Sequence, residues 1–575
     1  MPWQAGPEGG DAMTPLVIGV TSHRDLPEAD TDAIRQCVRH FLETLRQAYP
    51  SLPLVVLSAL AEGGDQWVAE EALALGLRLI APLPLPRELY AEDFLDSSAR
   101  ARFDALYRQA EVMVLPVRTG HTHHDVGNPG TPRDQQYAQA GVYIASHCHI
   151  LLAIWDGQAS DRHGGTAQIV RYHLSSALPG PPGMEHEPRH ILGAGDERLL
   201  FHIACSRADV PADQRQAIVA RWRHAATDEP GTQMPAPFQL MFERMAEFND
   251  ECTAHAAAIA AAADPGFSGT AAPPSVAAMG IEHSFREADW LAVHFQRRVL
   301  LAMRAIYVMA ALMGIAFTCY AHFAEKDYLI YLFLLLFALG AVVAAVAKRR
   351  GWHRKYLDYR ALAEGLRIQS YWRRAGISLT RDHAFAHDDF LQKQNVELGW
   401  IRNVMRASGL PPSHAPATST KALGEVIAEW VGEPGRSGQL HYYERKSVEC
   451  AGLHRVTEAV GALSLWSGVS ISVLLAVFAL HLGESTKATL VAAMGILSIV
   501  AAVREAYAYR KADKVLLKQY RFMERIFRAA RTALDRTTDP AEQRAILRAL
   551  GHAALTEHAE WTLMQRERQV EHGPM

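Results

Sequence analysis

Cysteine is scarce and scattered: six in 575 residues, at positions 37, 148, 205, 252, 319 and 450, with no CxxC pair. That argues against a zinc site or an oxidised secreted framework and fits a reducing compartment. An excess of one charge is also missing. The 58 Lys and Arg against 62 Asp and Glu leave a net −4, which gives no global bias toward nucleic acid. No GxSxG elbow is present, and Ser/His/Asp combinations arise in any chain of this size. Met1–Thr14 is Gly-, Pro- and acid-rich with no apolar core, so it does not read as a signal peptide, and membrane insertion must rely on internal helices. With 49% hydrophobic and 21% charged residues the chain is neither a disordered polymer nor a fibre. Its length implies about three or four domains.

What is present is unevenly placed. Residues 305–323 and 328–347 are uncharged runs separated by Ala324-Glu325-Lys326-Asp327, and residues 459–482 and 488–503 repeat the pattern across a turn at 483–487. About 20 residues of helix cover a hydrocarbon core roughly 30 Å thick, so each pair reads as an antiparallel transmembrane hairpin. The last run is short, so its ends should sit near the headgroups. Lys348–Arg374 holds nine Lys and Arg against Asp358 and Glu364, and Arg504–Arg531 holds nine against Glu505, Asp513 and Glu524. Hairpin plus basic helix therefore occurs twice. The positive-inside rule places both termini and the large segments in the cytoplasm, with the basic helices against anionic lipid.

Residues 14–180 read as an α/β domain. Apolar runs at 16–20, 54–57, 77–80, 112–115 and 150–154 alternate with helical patterns at 31–49, from Asp65 onward, and at about 134–147. The first helix puts Ile34, Val38, Phe41, Leu42, Leu45 and Tyr49 on one stripe. Such alternation predicts a doubly wound, Rossmann-like parallel sheet whose ligand binds at the carboxyl ends of the strands. The candidate ligand-binding residues lie there: Gly19, Thr21, Ser22, His23 and Arg24 after the first strand, then Ser58, Glu62, Gly63, Gly64 and Asp65 after the second. Asp156, Gly157, Gly164, Gly165 and Thr166 follow the fifth. Glycines let backbone amides approach a phosphate, and a following helix start favours an anion. Arg24 suits a phosphate fork, while Asp156 or Asp65 suits ribose hydroxyls.

The stretches GVTSHR (19–24), LSALAEGGDQWVAEEAL (57–73), LIAPLPLP (79–86) with Tyr90 and Asp93, and IWDG…GGTA (154–167) resemble the SLOG family of Rossmann-like domains. That family includes LOG-type phosphoribohydrolases, the DprA fold and the ligand-sensing domains of TRPM channels. The hairpin units resemble SLATT modules, two-helix membrane effectors of prokaryotic conflict systems, supported by KYLDYRALAEGLRIQSYW (355–372) and EWTLMQRERQVE (560–571). The resemblance covers most of the chain. It implies a cytosolic sensor of a nucleotide-derived second messenger, a cyclic nucleotide or an ADP-ribose-type molecule. Binding would trigger a homo-oligomeric pore or membrane disruption in anti-phage defence at the bacterial inner membrane. LOG-type hydrolases carry a glutamate after the glycine loop; aligning Gly165-Thr166 with it puts Ile169 there, so binding without turnover is expected. No catalytic residue, metal or cofactor is assigned. Two rivals stand beside this reading: a membrane-anchored nucleotide or NAD-type glycohydrolase using Glu62, and a constitutive channel with the sheet domain as assembly scaffold.

The expected organisation is a disordered 1–13, the sheet domain 14–180 and a helical insert 181–282. A first hairpin unit (283–410), a linker (411–424) and a second hairpin unit (425–575) complete it. In the insert, residues 207–224 and 241–263 read as helices, acting as a transmission element, a lid or a packed spacer. His121-Thr122-His123-His124-Asp125 contains metal-binding residue types but lies in a Gly/Pro-rich stretch, so a mobile loop is the expectation. Gly461, Ser464, Gly468 and Ser472 share one helical face, as do Gly495, Ser498 and Ala502. Small residues allow close helix packing in lipid. The sharper alternative makes Ser464, Gly468, Ser472 and Ser498 pore-lining. The spans carry no Asp, Glu or Arg, which speaks against a coupled transporter.

Overall fold

β1 (Leu16–Ser22) is buried through its first six residues and β2 (Leu54–Leu57) throughout, as central strands covered on both faces require. They belong to a sheet with strand order β4-β3-β2-β1-β5-β6-β7-β8. The others are β3 (Arg78–Leu83), β4 (Glu111–Val114), β5 (Ile150–Trp155), β6 (Leu199–Ala204), β7 (Val219–His224) and β8 (Thr227–Gly231). β1 to β6 run parallel, with Ile18 opposite Val56 on one side and Ile150 on the other. β7 and β8 are antiparallel additions at the edge. The order reverses between β1 and β5, the point at which a doubly wound sheet opens a crevice at its carboxyl edge. The computed structural model describes residues 13–94, 96–118, 120–160, 164–175, 198–225, 227–262, 276–323, 326–377, 390–391, 396–410, 420–478, 480–511 and 513–570.

The expected α/β class is the observed one. The helices of this part are α1 (Thr31–Ala48), α2 (Gly64–Ala74), α3 (Arg87–Ala91), α4 (Ser97–Tyr107), α5 (His123–Gly127), α6 (Thr131–His147) and α7 (Thr166–Ser175). The stripe on α1 is buried as its spacing requires. Glu71 on α2, itself buried, ties the two helices by accepting from Arg35 at 2.8 Å and Arg39 at 2.7 Å.

Two expectations fail here. Residues 207–224, read as a helix, form a loop with one short turn at Ala212–Gln214 and then β7, whose backbone pairs with β6. The sheet therefore continues past residue 180 to Gly231. The mobile loop expected at 121–125 is instead the entry to α5. The Thr122 hydroxyl accepts from the Asp125 amide at 3.3 Å, and the Asp125 carboxylate accepts from the Thr122 amide at 2.7 Å, a capping box. Residues 1–12 and the linker at 411–419 lie outside the described residues.

The chain divides into two units: 1–288 with 362–373 and 378–416, and 289–361 with 374–377 and 417–575. In the first, α8 (Ala236–Ala254) and α9 (Ala256–Ala261) replace the expected helix at 241–263. Asn249 on α8 donates to the carbonyls of Thr14 at 2.9 Å and Ser51 at 2.7 Å, just before β1 and β2. α8 thus seals the amino edge of the sheet, away from the crevice, as a packed element rather than a lid. α10 (Val276–His322) begins in this unit and continues into the second, which also holds α11 (Tyr328–Arg349) and the start of α12 (Trp352–Arg374); residues 362–373 of α12 and α13 (Gly399–Ser408) belong to the first. The α13 carbonyl of Asn403 accepts from His149 Nε2 at 2.9 Å, and Ser408 bonds Ser284 of α10 at 3.1 Å.

The second unit is helical, with α14 (Thr420–Val426), α15 (Gly438–Phe478), α16 (Glu484–Lys511), α17 (Asp513–Leu534) and α18 (Pro540–Val570). Four helical stretches, within α10, α11, α15 and the run 484–534, are long and apolar enough to cross a membrane. The protein is a multi-pass membrane protein. The short uncharged run at 488–503 lies inside the 28-residue α16, so helix length does not limit its span. The hairpins pack through small residues: a Cβ at Gly314 of α10 would meet Ile499 of α16 at 2.9 Å, and one at Gly495 would meet Thr318 at 3.0 Å.

Candidate functional site

The loop after β1 carries Ser22, His23 and Arg24 into the crevice. Its backbone is held by its neighbours: the His23 amide donates to the Ile154 carbonyl at 3.0 Å, and Thr166 Oγ1 donates to the Ser22 carbonyl at 2.7 Å. The loops after β1 and β5 are thereby joined at the start of α7. The β2 loop closes on the same place. Gly63 has φ +90°, and a Cβ there would lie 2.6 Å from the Arg24 carbonyl oxygen and 2.7 Å from that of His23. A side chain at Gly64 would meet Ser22 at 2.8 Å. Gly63 is required by its φ and the close backbone of His23 and Arg24, and Gly64 by the packed side chains of Ser22 and Ile154. Gly164, at φ +72°, sits 3.0 Å from the Ala138 nitrogen of α6 by the same measure.

Asp65 is buried at the start of α2 and accepts from Ser22 Oγ at 2.6 Å. Burial pushes its carboxyl up to about 7, against the opposing pull of Ser22, Arg24 and the Ala61 and Ser22 backbone. Asp156 is held by Arg207 and His23. Arg207 Nε donates to Oδ2 at 2.8 Å, and His23 Nε2 lies 3.1 Å from Oδ1. Burial would raise the Asp156 carboxyl, but Arg207, the Gln158 amide and His23 together hold it below the ordinary aspartate value. Burial pushes His23 below the usual imidazole range, with Asp156 opposing. Neutral His23 accepts from the Asp156 amide at 3.2 Å; protonated, the same nitrogen donates to Asp156 Oδ1.

Arg24 is exposed, with its guanidinium 5.6 Å from the Tyr137 ring centroid and no carboxylate partner among the described residues. Tyr137 is fixed from behind. Its hydroxyl bonds Asp93, which also accepts from the buried Arg133 at 2.9 Å.

Of the expected residues, Ser22, His23, Arg24, Gly63, Gly64, Asp65, Asp156, Gly164, Gly165 and Thr166 converge at the β1–β5 switch. Gly19 does not: it lies within β1, where a Cβ would meet Cys148 and Ile144 of the α6 end at 2.8 Å, so it serves packing. Thr21 is buried within β1, and Ser58 is buried with its hydroxyl closing the β2 loop through the Leu60 amide at 3.1 Å. Gly157 is exposed at φ +81°. Glu62 is half-buried with no hydrogen bond or ion pair among the described residues. Ile169 is buried in the core, its side chain against Gly141, and does not face the crevice. Among the described residues no three His, Cys, Asp or Glu are grouped to hold a metal. Tyr137 and Arg207 escaped the sequence reading. Tyr137 lies within the helical pattern at 134–147, which marks no site, and Arg207 lies in the stretch 207–224 expected as a helix.

In the spans, Ser464 is buried, while Ser472 and Ser498 are exposed. Their hydroxyls donate to the carbonyls of Gly468 and Met494, both at 3.0 Å, so each is satisfied within its own helix. Gly468 has open space around its Cα. The basic helices are partly neutralised inside the unit: Arg360 pairs with Asp289 at 3.3 Å, Arg374 with Glu429 at 2.6 Å, and Arg528 with Glu444 at 2.9 Å.

Residues 288–373 match a family described as a protein of unknown function, DUF4231. The match spans the first hairpin and most of α12. No curated protein and no solved structure matches the chain.

Proposed function

We propose that this protein is a ligand-gated membrane effector. The sheet unit is a SLOG-type sensor that binds a nucleotide-derived second messenger. The paired hairpins are SLATT-type modules whose ligand-biased self-association opens or disrupts the bacterial inner membrane in defence against phage. Both termini lie in the cytoplasm. The observation that carries the reading is the convergence of three strand-end loops, two of them glycine-bearing and the third carrying an arginine with no carboxylate partner among the described residues, on the β1–β5 switch of a chain that also carries four spans. Burial of Ile169 in the core supports binding without turnover. Ser284 and Ser408 join α10 to α13, and α10 runs uninterrupted to His322, which supplies a covalent route from sensor to span. A ligand acts as a switch only if it prefers one assembly state.

The test is reconstitution of the full chain in dye-loaded liposomes, with the mass of any copurifying small molecule determined first. Leakage that appears only on adding that molecule, and fails in Arg24→Gln, is the expected result. Leakage without any ligand would instead make the protein a constitutive channel, and base release from NAD or a nucleoside monophosphate would make it a glycohydrolase.

A further inference from the structure

Arg207 lies on the loop after β6, one strand beyond the loops assigned to the crevice. The Ala208 amide anchors that loop by donating to the Asp25 carbonyl at 2.9 Å. The Arg207 side chain is 28% exposed, and its Nε is spent on Asp156. Its terminal nitrogens make no hydrogen bond among the described residues: Nη1 forms only a loose ion pair with the exposed Asp25 Oδ1 at 3.9 Å, and Asp209 acts on the guanidinium at longer range. The guanidinium is therefore aimed by one edge and open at the other. Arg24 leans to the α6 side, over Tyr137, whereas Arg207 stands on the β6 side of His23 and Asp156. Two arginines thus flank the switch, and the carboxylate between them is already neutralised.

We propose that Arg207 is a ligand-contacting, specificity-determining residue that binds a second phosphate group, so that the crevice selects a diphosphate-bearing ligand over a monophosphate. Asp156 is then a positioning residue, not an acceptor for ribose. It fixes Nε so that the terminal nitrogens face outward, and a phosphate meets a planar fork of donors at that edge. Without Arg207, the Asp156 carboxylate would repel the anion it now helps to receive. This inference rests on the anion-binding reading of the crevice.

The experiment measures binding of inorganic pyrophosphate and orthophosphate to the full chain in lipid nanodiscs by calorimetry. These probes carry the phosphate chemistry without a base. The wild type is expected to prefer pyrophosphate. Arg207→Gln should weaken pyrophosphate binding about 10- to 100-fold and leave orthophosphate within about threefold, whereas Arg24→Gln should weaken both. Arg207→Lys, which keeps the charge and loses the fork, should fall between, and it decides the matter if Arg207→Gln does not fold. Asp25→Asn, removing the rim carboxylate nearest Nη1, should tighten pyrophosphate binding. Equal pyrophosphate binding by wild type, Arg207→Gln and Arg207→Lys would overturn this proposal alone. Absence of binding of either anion to the wild type would overturn the anion-site reading beneath it.

Discussion

Asp65 places a carboxyl where water is excluded, and its folded-state value near 7 exceeds its ordinary one near 3.8. Between those values the folded chain holds a proton that the unfolded chain has lost. Stability from this group is fully present below about pH 4, declines as pH rises, and is gone above about 7. Asp65→Asn should flatten that decline and raise the melting temperature at pH 8, a gain on the order of 2–4 kcal/mol in the sheet unit. Melting of both forms in detergent from pH 5 to 8 checks it; parallel curves would show that Asp65 ionises without penalty. His149 works from the other side. Its Nδ1 accepts from the Val17 amide at 3.0 Å and its Nε2 donates to Asn403, while burial, with Arg406 adding, pushes it down to about 3. Its contribution is present above about 6.5 and lost as pH falls toward 3. His149→Phe leaves the Val17 amide without an acceptor and should cost about 2–4 kcal/mol.

At the scale of elements, the two glycine approaches are the sensitive points. Gly63→Ala should destabilise the sheet unit by about 2 kcal/mol or more, because both its φ and the carbonyls of His23 and Arg24 oppose a side chain. Gly314→Leu should separate α10 from α16 and lower the heat resistance of the detergent-solubilised chain, with far-UV helicity unchanged. Much of this was legible in the sequence. The apolar runs at 16–20, 54–57, 77–80, 112–115 and 150–154 all correspond to strands: β1, β2, β3 and β5 lie inside the sheet and are apolar for that reason, whereas β4, at the edge, buries only Met113 fully. β6 was not read from Leu199–Ala204, since it follows a long Gly- and Pro-rich stretch with no periodic neighbour. β7 alternates Ala220 and Trp222 with Arg221 and Arg223, a period-2 signal six residues long that helical spacing across 207–224 masked. Arg207 became visible as a site residue only once β6 lay beside β5. The roles expected for Asp65 and Asp156 were less legible: both carboxylates are engaged by side chains from other segments, which no local pattern displays.

At the scale of the whole molecule, four spans return the chain to the side from which it started, so the sheet, residues 350–437 and the C-terminal helices share one compartment. Reporter fusions at either terminus should be active on the same face of the membrane, and the cytoplasmic one if the basic flanks govern insertion. Reporters on opposite faces would mean that one of the four stretches does not cross. α10 stops at His322 and α11 starts at Tyr328, and α15 stops at Phe478 and α16 starts at Glu484. The two members of each pair are thus joined by only five residues, 323–327 and 479–483. Whichever face of the membrane the sheet occupies, the opposite face meets only those two short connections. A molecule confined to that opposite face would find little to hold, so any signal the protein answers must arrive on the side the sheet occupies.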